Sequence, residues 1–162
     1  MQRIGVTQLA LGVLALALGV VVYLTDRDSS HAVLIPNVDT LSGRHLFGAV
    51  GGWLPSFVHP FAFSLFTAAV LQPALRPAYW ACAVWGCVNV AFELGQHPLV
   101  SAPLAETLQA VFGGLPPAHW LASYFVRGTF DVGDLAAAVS GSLAAALALR
   151  WMHSPTEVRD AY

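Results

Sequence analysis

Apolar residues run almost unbroken over four stretches of the chain. Residues 4–24 read IGVTQLALGVLALALGVVVYL, and residues 53–72 read WLPSFVHPFAFSLFTAAVLQ. Residues 79–96 open on YWACAVWGCV and close on NVAFELGQ, and residues 132–152 read VGDLAAAVSGSLAAALALRWM. Each approaches the ~20 apolar residues that a bilayer-spanning helix requires. The first stretch is long for the apolar region of a cleaved signal peptide and leads into TDRDSS without a small-x-small cleavage site, so the pattern predicts a retained helix. Glycine and alanine recur at helical spacing in the first stretch (Gly5, Gly12, Ala15, Gly19, with Gln8 among them) and in the last (Gly133, Ala137, Gly141). Stripes of small residues let helix backbones approach closely in lipid, so both are expected to be packing faces.

Two longer connections separate these stretches. Residues 25–52 are polar at first and then increasingly apolar. In residues 97–131, APLAETLQAVFGG predicts a short helix ended by glycines, with Leu104, Leu108 and Val111 or Phe112 on its apolar face. The aromatics of PPAHWLASYFVRG suit the headgroup zone, so this connection is expected to lie along the membrane surface. The predicted fold is therefore all-α. It is an integral membrane four-helix bundle forming a single domain over residues 1–162, with a surface-lying loop and short helix between the third and fourth spans. Residues 153–162 form a short tail.

Composition agrees with lipid as the main solvent. The chain is 57% hydrophobic and only 10% charged, with a mean hydropathy of +0.65, whereas a soluble domain carries roughly 25% charged residues. Net charge is −2, lysine is absent and the seven arginines are scattered, so no basic patch points to nucleic acid. Cys82 and Cys87 are five residues apart on one apolar stretch, different faces of a helix, and are expected to be buried small hydrophobes rather than a metal or redox pair. Placing both termini in the cytoplasm puts Arg3, Arg76, Arg150 and Arg159 inside and Arg27, Arg44 and Arg127 outside. That is a weak positive-inside bias, and both termini are expected to be cytoplasmic.

Polar residues inside the apolar stretches carry the candidate chemistry. Asn89, Glu93 and Gln96 or His97 follow steps of four and then three or four, a polar stripe on one side of the third helix. Pro98 predicts the end of that helix, which places Glu93 roughly 6 Å inside it. Ionisable groups in a span face the bundle interior or a watery cavity, because exposure to hydrocarbon costs several kcal/mol. Asp131 and Asp134 open the fourth helix, where either could cap it or serve a site. His59 lies roughly 9 Å into the second helix if that helix starts at Trp53. The second helix enters at the membrane face where the third leaves and the fourth enters. His59, Glu93, Gln96, His97, Asp131, Asp134 and Arg127 are therefore expected in one layer.

The pairing of FELGQ at one helix end with RGTFDVGDLAAAVSGSLAA opening the next resembles the VanZ-like family of small bacterial membrane proteins. Glu93 and Gln96 match its Glu-x-x-Gln, Arg127 its arginine, Asp131 and Asp134 its acidic pair, and Gly141 its glycine. Ala137 or Ala138 stands where the family commonly has asparagine, and the connection between the two halves is longer. The resemblance implies a multi-pass protein of the bacterial cytoplasmic membrane and a cell-envelope role linked to glycopeptide resistance. It supplies no reaction.

Three functions fit these residues. In the first, the polar layer binds or modifies a membrane lipid or lipid-linked glycan. Glu93, Asp134 or His59 would then be the catalytic candidates, and Asn89, Gln96, His97, Arg127 and Asp131 the binding ones. No G-x-S-x-G motif supports serine hydrolysis. In the second, the layer only locks the helices, with Arg127 paired to Glu93 or Asp134, or docks a membrane-protein partner or second copy. In the third, ranked below both, Glu93 and His97 grip a metal ion completed by His59 and Asp131 or Asp134. Haem between His59 and His97 ranks lower still, and no cofactor is expected.

Overall fold

The computed structural model describes residues 2–26, 46–71 and 74–153. The described residues form six helices and no strand: α1 (Gln2–Asp26), α2 (Ala49–Val70), α3 (Leu75–Gly95), α4 (Pro98–Phe112), α5 (Pro116–Arg127) and α6 (Val132–His153). The all-α expectation is met. The first part of the connection after α1, the C-terminal tail, and Arg27, Arg44 and Arg159 lie outside the described residues.

Three helices, α1, α2 and α6, are long and apolar enough to cross a membrane. Their outward faces carry exposed large hydrophobics: Val6, Val13 and Leu14 on α1, Leu143, Leu147 and Trp151 on α6. A soluble monomer rarely exposes apolar surface on this scale, and these are the features of a membrane protein. α3 is as long but is not among the three; Arg76 and Glu93 sit near its two ends.

Small residues decide how the helices meet. Gly12 faces the ring of Phe66 and Gly19 faces Val58, so α1 runs antiparallel along α2. Gly133 lies against the Trp53 indole and Gly141 against the backbone carbonyl of Phe57, so α2 and α6 run parallel and nearly touch main chain to main chain. Gly86 receives Ser142, which sets α3 antiparallel to α6. The predicted glycine stripes are thus contact faces, except that Gly5 meets nothing. A core of Leu65, Ala68, Ala78, Cys82, Ala145 and Leu149 joins α2, α3 and α6 toward one end. Both cysteines are free thiols, Cys82 buried as expected and Cys87, on the outer face of α3, exposed contrary to expectation.

The other end of these helices holds the polar groups. Asp26, the last residue of α1, accepts the Phe47 backbone N–H at 2.9 Å through Oδ2 and packs against Gly51. Gly48, at φ +55°, makes the left-handed turn that starts α2, a conformation open mainly to glycine. α2 therefore begins at Ala49, four residues before the predicted start. α4 and α5 each begin on a proline, where a missing N–H costs nothing, and pack mainly against each other as a hairpin beyond the end of α3. The predicted short helix is longer than expected, starting at Pro98, and the aromatic stretch is itself helical.

Candidate functional site

Glu93, two residues before the end of α3, is only 8% exposed. Its Oε1 accepts the backbone N–H of Asp131 at 2.7 Å. Asp131 immediately precedes α6, so the Glu93 carboxylate sits at the helix N-terminus, where the dipole and unfilled amides favour negative charge. Asp131 caps the same terminus from within: its Oδ1 accepts the Gly133 N–H at 2.7 Å, and its carbonyl accepts from Asp134 and Leu135. Its second oxygen, Oδ2, receives the Trp53 indole N–H at 3.3 Å. One short chain of contacts thus ties α2, α3 and α6 at one level.

A second set of contacts reaches the α4–α5 hairpin. The Gln96 side-chain amide donates to the Tyr124 hydroxyl at 2.9 Å and packs on Gly128, which follows α5. Burial first, and the Glu93 charge next, raise the Tyr124 hydroxyl above its ordinary pKa. It therefore remains a neutral phenol through the physiological range. His97 starts α4 rather than joining the acids: its Nδ1 accepts the Leu99 N–H at 3.2 Å, and its ring packs edge-on against Phe130. Asn89 donates to the Trp85 carbonyl of its own helix at 2.8 Å.

Two expected members stand apart. His59 stacks on Phe63, which stacks in turn on Trp85, and it makes no hydrogen bond or ion pair with the acids among the described residues. With α2 starting at Ala49, His59 lies ten residues in, roughly 15 Å along the axis. Arg127, in the last turn of α5, is exposed and forms no ion pair among the described residues. The lock anticipated from Arg127 is instead made by the Asp131 amide and the Trp53 indole. No three His, Cys, Asp or Glu side chains among the described residues are placed to hold a metal ion together.

Asp134 completes the layer differently. It lies in the first turn of α6, and its Oδ1 is buried with no hydrogen-bond partner among the described residues. Sequence reasoning missed Trp53, Tyr124 and Asp26 as members of this polar end. A signal existed for the two aromatics, since a half-buried indole N–H or phenol usually finds a partner. The Trp53 bond is long and exposed, so Trp53→Phe is expected to cost less than about 1 kcal/mol in the unfolding free energy measured in detergent. A larger loss would mean that the indole N–H holds α6 more firmly than its geometry indicates.

The described residues are thus all-α, with three helices apolar enough to span a membrane and a polar layer at one end of them. Comparison with family models, curated proteins and solved structures finds no match to the chain.

Proposed function

We propose that the protein is an integral membrane protein in which the polar layer holds the head of an amphipathic lipid or lipid-linked envelope molecule. In this reading α3 is a fourth span packed with α2 and α6. The α4–α5 hairpin lies in the headgroup zone, to which it offers Leu99, Val111, Phe112, Leu115 and Trp120. The supporting observation is the division of labour among the acids. Glu93 and Asp131 are engaged by backbone amides and an indole, whereas Asp134 keeps a buried oxygen without a donor among the described residues. A buried acceptor left unfilled costs roughly 1–3 kcal/mol, so a hydroxyl or amine from a bound headgroup would stabilise the site.

Glu93 in this reading positions α6 and does not act on the ligand. His59 is not a general base in this reading, because no acid among the described residues partners the ring. The VanZ-like resemblance, with its envelope role, fits the same placement of Glu93, Gln96, Asp131 and Asp134, and is part of the proposal.

A second reading is favoured by the Glu93–Asp131 contact itself: the layer only locks the bundle and binds nothing. Protein purified from its native membrane in mild detergent separates the two, with retained lipids identified by mass spectrometry. Wild type is expected to keep one polar lipid well above its share in the membrane. Asp134→Leu is expected to lose that enrichment about tenfold while its unfolding midpoint stays unchanged or rises. Retention of lipids in their bulk proportions by wild type would leave only the lock.

A further inference from the structure

The end of the molecule remote from the acids carries an apolar groove with a cation at its mouth. A cavity of about 710 Å³ opens between the C-terminal part of α2 and the N-terminal part of α3, lined by Thr67, Leu71, Trp80, Val84 and Trp85, with Arg76 among them. That volume falls within the range of ordinary small-molecule sites. One wall is fixed, because the Trp85 indole donates to Thr67 Oγ1 at 2.9 Å and its ring stacks on Phe63 at 4.9 Å. The other is open: Trp80 and Val84 are exposed.

The described carboxylates all lie at one end, where Arg127 also lies, and none lies at the groove end. The described acids Asp26, Glu93, Glu106, Asp131 and Asp134 lie on the last turn of α1, the end of α3, α4 and the start of α6, all at the opposite end from the groove. Arg76 and Arg150 lie at the groove end. Arg76 is exposed and has no carboxylate partner among the described residues. Among the described residues no side chain caps the start of α3, so the Leu75 and Arg76 amides there add to the same positive field.

From this arrangement we propose that the groove binds an anionic phospholipid. One acyl chain lies along Leu71, Val84 and the two indoles, and the phosphate meets the Arg76 guanidinium. Arginine matches a phosphate in charge and in the fork of its donors. Tryptophan at this depth suits the boundary between acyl chain and headgroup. A zwitterionic lipid would fill the same groove, but its own cation would offset the gain at Arg76. The site is independent of the one around Asp134 and would stand if that reading fell.

Fluorescence quenching in vesicles tests it. The full chain is reconstituted in an equimolar mixture of phosphatidylglycerol and phosphatidylcholine, with bromine on the chains of only one lipid at a time. The groove signal is the difference between wild type and Trp80→Phe. Brominated phosphatidylglycerol is expected to quench as if enriched about fivefold over phosphatidylcholine, the size expected of one arginine at an anionic surface. Arg76→Gln is expected to bring the two labels to equality, and Arg76→Lys to keep most of the preference. For wild type alone, raising the salt should erode the preference, which covers the case in which Arg76→Gln does not fold. Equal quenching by both labels in wild type overturns the proposal, as does a preference that survives Arg76→Gln or is insensitive to salt. Absence of quenching by either label, with cross-linked dimers, would mean that a second copy covers the groove, and it too overturns the proposal.

Discussion

Gly141→Val is expected to destabilise the protein by about 3 kcal/mol or more, while Gly5→Ala leaves it unchanged or stabilises it by up to about 1 kcal/mol. The two glycines lie on long helices and differ in what a side chain would meet. At Gly141 a methyl group would run into the carbonyl oxygen and neighbouring backbone of Phe57. Backbone cannot rotate away as a side chain can, so α2 and α6 would have to part, and the Gly133–Trp53 contact two turns away would loosen with them. At Gly5 nothing lies within 4 Å, and only the helix preference of alanine over glycine remains. Gly141→Ala should fall between, because the same preference partly offsets the clash. Unfolding of purified protein by a denaturing detergent, followed by helical circular dichroism, gives the ranking. Equal effects at both positions would show that α2 and α6 do not approach at this point.

The second large effect is expected at Glu93. Glu93→Leu strands the Asp131 amide and removes a buried, charge-assisted acceptor, for an expected loss of about 3 kcal/mol. Glu93→Gln keeps an oxygen in place and loses only the charge beside the helix terminus, so about 1–2 kcal/mol is expected. The split between the variants is the diagnostic. If glutamine costs as much as leucine, the charge rather than the hydrogen bond holds α6. If neither variant moves the unfolding midpoint, the carboxylate does not fasten the helix ends.

Helical class and most helix positions were legible because long apolar runs leave few alternatives. The boundaries that failed did so for particular reasons. The glycine pair before Trp53 looks like a loop, yet Gly51 is needed inside α2 because Asp26 packs where its side chain would be. That contact is tertiary and has no local signature. His97-Pro98 was legible as a helix end, but the same two residues begin α4, with the imidazole spent on the cap. The alternation of helix ends correctly brought Glu93 and Asp131 to one level. It could not tell that Asp131 would serve through its main chain, nor that Arg127 would face outward. His59 was misplaced in depth because the start of α2 was read four residues late.

The Glu93 contact also has a temporal side. The amide that fills this acceptor is encoded 38 positions downstream. At roughly 5–20 residues per second, a ribosome finishes α3 some seconds before the start of α6 emerges. Throughout that interval the carboxylate sits in a hydrophobic segment before the Asp131 amide it will accept has been made, so this link of α3 to α6 waits on a later piece of chain. Helix six, made after helix three, supplies the amide that the Glu93 carboxylate accepts.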